Sequence, residues 1–269
     1  MEQIFLPTAI EFLDTDRPHV GQLIISPCHQ GYWTTLGNAL RRVLLSSLPG
    51  AAVESAKIAG VQHEFATIAG VGEDVIELLL NVKQIAVRSF SDQPVTLHLS
   101  KKGKGPVTAA DFEKNADVEV VNGGLTIATI TDDKKVFEMD VTIGKGRGYV
   151  PVSEKETKHL DLGTIAIDSL FTPIRDVGYT VEMTRVGDVT DYEKLILTIE
   201  TNGTVTPREA VSQATKILMD HFALILDSTG GEAETIRTAE SPEATPEEAM
   251  ESEAGTREEK KPRKKKKAD

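Results

Sequence analysis

Cysteine is almost missing from this 269-residue chain: Cys28 stands alone, so no internal disulfide can form and a reducing compartment is implied. Cys28 itself reads as a small buried hydrophobe rather than a reactive thiol. With no second soft ligand, the six histidines (His19, His29, His63, His98, His159 and His221) never fall three or four residues apart, and a zinc or iron site is not expected. Aromatic residues make up only 5%, which leaves the core to Leu, Ile, Val and Ala. No apolar run approaches the roughly 18 residues of a membrane span. The opening Met1-Glu2-Gln3-Ile4-Phe5 lacks the basic-then-apolar order of a secretory signal. Neither a nucleophile elbow nor a phosphate loop of the G-x-x-x-x-G-K-[ST] type occurs, so no catalytic residue, metal or cofactor is assigned.

What is present is charge, unevenly placed. The net charge is −12, with −8 between Glu232 and Glu259 and +6 between Lys260 and Asp269, leaving −10 for residues 1–231. An acidic folded part argues against a globally basic nucleic-acid binder. The tail, residues 232–269, has no apolar periodicity and reads as disordered, acidic then basic. Its Lys264, Lys265, Lys266 and Lys267 are candidates for weak, non-specific DNA contact through counterion release. Self-neutralisation by the preceding acidic block is the alternative.

The order of patterns predicts an α+β fold. Ile10–Leu13 and Gly21–Ile25 read as strands, and Trp33–Leu48 as a helix stopped by Pro49-Gly50. Strand patterns then dominate to about Thr172, interrupted by one helix from Glu73 to Gln84. Glycine-rich turns are expected at Gly103–Gly105, Gly123-Gly124 and Gly144–Gly148, the last of these a weak phosphate-cradle candidate as well. Asp14-Thr15-Asp16 is a weaker candidate still, for Mg²⁺. Two long strands come next, Tyr179–Val186 and Lys194–Glu200, with Thr190-Asp191-Tyr192 as their hairpin connection. After an Asn202-Gly203 turn, Thr206, Pro207 and Glu209 spell the start of a helix with a capping box, running to about Asp227.

Both long helices carry more apolar surface than one face of a small domain requires. In the first, Leu36, Ala39, Leu40, Val43 and Leu44 form a core stripe, while Asn38, Arg41, Arg42 and Leu45 lie opposite. That outer face is either a solvated cationic surface with an incidental leucine or a partner-binding face. In the last helix, Val211, Ala214, Thr215, Leu218, Phe222 and Ile225 form one stripe, and Ala210, Ile217, His221 and Leu224 another. Either the helix is sandwiched within its own domain, or one stripe meets a second copy of the chain. His221, on an apolar face, is expected to be a hydrogen-bonded packing residue.

Several blocks resemble the bacterial RNA polymerase α subunits. They are Gly31–Ser47 (with Asn38-Ala39-Leu40-Arg41-Arg42 at its centre), Gly60–Phe65, Glu73–Lys83, Gly105–Asp111, Gly146–Pro151 and Thr201–Pro207, in that family's order across residues 1–230. The resemblance implies a discontinuous dimerisation domain, residues 1–50 and 173–231, of antiparallel sheet plus two helices. A β-rich domain, residues 51–172, is inserted within it. It implies a non-catalytic scaffold of a nucleotidyltransferase complex, a homodimer that nucleates assembly of β and β′, with ω and σ in the complex and the catalytic Mg²⁺ on another subunit. Arg42 maps to the family's main β contact, with Leu45, Arg41 and Asn38 on the same patch; Lys83 maps to β′ contact. Dimer packing is implied for Leu36, Leu40, Val211, Leu218, Phe222 and Ile225. Family members usually continue into a small helical DNA-contacting module; no such pattern comes after residue 231, so DNA contact is expected through the complex or weakly through the lysines. Localisation is expected in the bacterial cytoplasm with the nucleoid, a plastid stroma being the alternative. The competing reading from another class is a stand-alone nucleic-acid-binding protein using the lysine tail.

Overall fold

The computed structural model describes residues 6–156, 161–186 and 189–229. The chain divides into two compact units, Met1–Ile225 and Leu226–Asp269, and both large sheets belong to the first. That unit opens with strands β1 (Ala9–Asp14) and β2 (Val20–Cys28), helix α1 (Tyr32–Ser46) and β3 (Pro49–Ile58). Helix α2 (Val75–Lys83) precedes β4 (Val87–Ser89), β5 (Val95–Lys102), β6 (Gly105–Thr108), β7 (Val118–Val120), β8 (Thr126–Ile130) and β9 (Val136–Arg147). Then come β10 (Tyr149–Val150), β11 (Thr164–Ala166), β12 (Ser169–Leu170), β13 (Ile174–Val186), β14 (Val189–Thr201) and helix α3 (Pro207–Ser228). This is the α+β class expected.

The first sheet runs β1-β2-β14-β13 and the second β5-β9-β3-β4-β7, with β11 joined to β3. Two small ladders, β10-β12 and β6-β8, complete the set, and every named pairing is antiparallel. Period-2 alternation explains the central strands. Leu195, Leu197 and Ile199 of β14 are fully buried on one face, as are Phe137, Met139, Val141 and Ile143 of β9. Each such side chain removed from water contributes about 1.5–3 kcal/mol before entropy is counted.

The buried residues fall into two cores. One lies entirely between Val53 and Ile167 and gathers β3, β5, β8, β9 and the inner face of α2. The other joins Leu23–Leu48 to Ile174–Ala214, with α1 and the start of α3 laid on the first sheet. Cys28 is buried in this second core as a packing residue.

Two expectations are corrected. Gly144–Arg147 is no turn: it is the end of β9, paired with Pro49–Ala52 of β3. A β-carbon on Gly144 would meet Glu54 Oε1 at 2.2 Å, and one on Gly146 would meet the Phe171 ring at 2.7 Å, so close approach explains these glycines. Only Gly148, at φ +63°, needs glycine's freedom. Thr190-Asp191-Tyr192 likewise belongs to β14, with Tyr192 opposite Thr184 and Val189 opposite Val186, so the hairpin reverses earlier than expected.

Candidate functional site

Helix α1 starts at Gly31, φ +81°, and no side chain at that position caps it. Glu193 of β14 serves instead: its Oε1 accepts the Gly31 N–H at 2.9 Å, placing a buried carboxylate at the positive end of the helix. The helix buries Trp33, Gly37, Leu40 and Leu44, with Leu36 and Val43 half-buried on its flanks. Gly37 is where Tyr179 and Leu195 come closest. Asn38, Arg41 and Arg42 are exposed together on the opposite side. Leu45 is half-buried and packs on the protomer's own core, so its apolar character has a local reason and it flanks the arginine face rather than occupying it. Leu40, expected at a dimer contact, points into its own core for the same geometrical reason: it shares one helical stripe with Trp33 and Gly37.

Helix α3 begins as expected. Thr206 N–H donates to Glu209 Oε2 at 2.9 Å, and Glu209 N–H donates back to Thr206 Oγ1 at 3.2 Å. The Thr206 backbone N–H first, and the Thr206 hydroxyl second, hold the Glu209 carboxyl below the usual carboxylate range. Pro207, Ala210 and Ala214 are buried, and Val211, Ile217 and Leu218 pack half-buried on the second core. Beyond them the apolar side chains of α3 are exposed: Met219 is 53% exposed, Phe222 59%, Leu224 73% and Ile225 57%. His221 is exposed, its Nδ1 lying 2.7 Å from the Ile217 carbonyl.

Lys83 closes α2. Asp74 caps that helix, its Oδ1 accepting the Glu77 N–H at 2.7 Å. Lys83 is neither free nor simply solvated: its Nζ lies 3.3 Å from Asp168 Oδ2 and 5.3 Å from the centroid of the Tyr149 ring. Asp168 also accepts the Val152 N–H at 2.9 Å and the Tyr149 hydroxyl. Those donors, Val152 before Tyr149 and Lys83, hold its carboxyl below the ordinary range; the bond to Asp168 pushes the Tyr149 phenol up. Behind this node, Lys155 donates to the carbonyls of Glu54 and Ile167 and to Ser169 Oγ, and Ser169 Oγ donates to the Val53 carbonyl at 2.7 Å. Burial lowers the Lys155 ammonium's pKa.

The structure thus sets out three surfaces: the arginine face of α1, the apolar end of α3, and the Lys83 node. Sequence reasoning named a residue on each but missed Glu193, Tyr149 and Asp168. Their partners lie 162, 66 and 85 residues away in the chain, and no local spacing records such pairs. Among the described residues, no group of three or more His, Cys, Asp or Glu is placed to hold a metal, Asp14 and Asp16 included. His98 Nδ1 lies 2.5 Å from Asp140 Oδ1 across β5 and β9. No described helix is long and apolar enough to cross a membrane. Lys264–Lys267 lie outside the described residues.

Residues 56–172 match the family described as the RNA polymerase Rpb3/RpoA insert domain. The DNA-directed RNA polymerase subunit alpha of Symbiobacterium thermophilum is 50% identical over 209 residues, and that of Clostridium beijerinckii 49% over 209 residues. Each match covers 78% of this chain and 66% of the relative. The Clostridium kluyveri subunit alpha is 47% identical over 221 residues, 82% of this chain and 70% of its own length. The chain belongs to the bacterial RNA polymerase α-subunit family. It spans about two thirds of the length of the curated α subunits it matches. The Lys83 node falls within the matched residues 56–172.

Proposed function

We propose that this chain is a non-catalytic scaffold subunit of DNA-directed RNA polymerase, which homodimerises and nucleates assembly of β and β′ for transcription. The observation that carries the reading is the half of α3 whose apolar side chains stay exposed among the described residues. Met219 and Phe222, on one side of the helix, are exposed in the protomer, and apolar surface of this kind marks an interaction site. A second copy presenting the same stripe would bury it in an isologous contact, with Leu218, Val211 and Leu36 at its inner margin. Leu40 takes part from beneath, as a core residue that fixes where α1 lies.

The exposed arginine face of α1 is assigned to β, with Arg42 as anchor, Arg41 and Asn38 beside it, and Leu45 at its packed edge. Lys83 is assigned to β′. The division into a dimerisation domain (residues 1–50 and 173–231) and an inserted β-rich domain (51–172) is supported by the two separate cores and by the insert-domain match over 56–172. On this reading the chain carries no cofactor, and the catalytic Mg²⁺ belongs to another subunit, with ω and σ joining the complex. The protein works in the bacterial cytoplasm at the nucleoid. DNA is met through the complex, with weak salt-sensitive contact by Lys264–Lys267.

The test is co-expression of the tagged chain with β and β′ from the same genome, comparing wild type with Arg42→Ala. Capture of β by wild type and its loss by a folded, dimeric Arg42→Ala protein is expected. If neither protein retains a large subunit while both bind DNA, the chain is a nucleic-acid-binding protein built on an α-type fold.

A further inference from the structure

Along β14, Leu195, Leu197 and Ile199 face inward, and Glu193 continues the same alternation. A position that ordinarily takes an apolar side chain is therefore held by a carboxylate, 8% exposed and opposite the buried Cys28 on β2. Burying such a group is costly unless its oxygens are hydrogen-bonded. Oε1 meets that condition through the Gly31 N–H at 2.9 Å. Oε2 is buried too, and none of the described residues donates to it. A second buried polar atom lies two residues along the chain from Gly31: the indole Nε1–H of Trp33, a residue 3% exposed, has no acceptor among the described residues.

The start of α1 adds donors of its own. It has no side-chain cap and no acidic residue in its first turn. The Gly31 N–H goes to Glu193 and the Tyr32 N–H to the His29 carbonyl at 3.3 Å, while the backbone N–H groups of Trp33 and Thr34 have no acceptor inside the helix. An oxygen in need of a donor thus stands at a helix end whose donors need an acceptor. The positive end of the helix disfavours a cation there, and the carboxylate repels an anion. An uncharged molecule that donates and accepts at once satisfies both sides, and water is the smallest of that class. We propose that Glu193 and Trp33 form a buried water site at the start of α1, where one bound water donates to Glu193 Oε2 and accepts from Trp33. Glu193 then positions the helix that carries the arginine face through both oxygens, one bonded to Gly31 directly and the other through water. The site belongs to the single protomer and stands independently of assembly with β and β′.

The test uses the full chain, isotope-labelled, as wild type, Glu193→Ala and Glu193→Gln. Trp33 is the sole tryptophan, so its indole N–H gives one unmistakable resonance beside its backbone amide. In wild type, water-selective cross-relaxation should reach the N–H groups of Trp33, the signature of a bound water. Glu193→Ala should abolish that transfer and speed exchange of the Gly31 amide about 5–10-fold, the scale of a lost cap. Glu193→Gln separates the two oxygens: its carbonyl keeps the Gly31 N–H, and its NH2 group offers the water a donor in place of an acceptor. Transfer should therefore fall while Gly31 protection is unchanged. Should Glu193→Ala fail to fold, wild type and Glu193→Gln decide between them. Wild type without transfer to Trp33, or transfer that survives Glu193→Ala, overturns the site. So does Glu193→Gln behaving as wild type, which leaves Glu193 a plain helix cap. Loss of the wild-type transfer in ammonium chloride at constant ionic strength overturns it in favour of a small cation.

Discussion

Arg88 donates from both Nε and Nη2 to one oxygen, the carbonyl of Thr204, at 3.0 and 2.6 Å. Its remaining nitrogen, Nη1, meets Glu119 at 3.3 Å. Arg88 lies on β4, beside the first core, while Thr204 is a buried residue in the turn that launches α3 from the second. One side chain therefore ties the start of α3 to the sheet that α2 covers. Arg88→Ala should destabilise the chain by about 1–2 kcal/mol, toward the low end for a charged donor because the guanidinium is 44% exposed. Arg88→Lys should recover less than half of this, since an ammonium lacks the fork. Urea denaturation of the three proteins checks both statements.

Phe222 offers a sharper mutation than most interface residues, because the protomer barely uses it. Phe222→Asp should leave helix content and melting cooperativity intact while converting dimer to monomer at micromolar concentration. Light scattering after size exclusion reads the mass. A Phe222→Asp protein that stays dimeric removes this part of α3 from the dimer contact.

The capping box predicts a pH dependence of definite sign. Glu209's carboxyl is depressed in the folded chain, first by the Thr206 backbone N–H and then by its hydroxyl, from a starting value of 4.5. Its contribution is therefore complete above about pH 4.5 and lost as pH falls through the lower folded value. Glu209→Gln should melt below wild type at pH 7, with the gap closing toward pH 3. Thr206→Ala, which removes the hydroxyl, should cost about 1 kcal/mol at pH 7.

At Gly50 no side chain fits. A β-carbon there would sit 1.9 Å from the Phe171 carbonyl oxygen, a backbone atom that cannot rotate away. Gly50→Ala should cost about 1–3 kcal/mol or more in thermal denaturation, as overpacking does. Gly124→Ala, where an added β-carbon meets nothing within 4 Å, is the matched control.

What the sequence disclosed is what neighbours in the chain decide. Thr206, Pro207 and Glu209 lie within four positions, so the start of α3 was legible, as was the turn at Gly203. The outward set of Asn38, Arg41 and Arg42 came from helical spacing alone. Leu45 did not, because its packing depends on where the sheet and α3 lie. Gly144 and Gly146 were misread as turn residues because Glu54 and Phe171, which exclude a side chain there, are distant in sequence. Lys83 was singled out only by family resemblance, and its ion pair was not foreseen because its carboxylate partner, Asp168, is 85 residues away.

The chain passes from one core to the other only twice, between Leu48 and Val53 and between Ile167 and Ile174, and at Gly50 and Phe171 those two passages touch. A segment whose entrance and exit are neighbours is, for evolution, a cassette. It can grow, shrink or be exchanged without rethreading the four-stranded sheet or moving α1 and α3. Selection on the inserted core is thereby separated from selection on the four-stranded sheet and its two helices, with Arg88 as the stitch any replacement has to preserve.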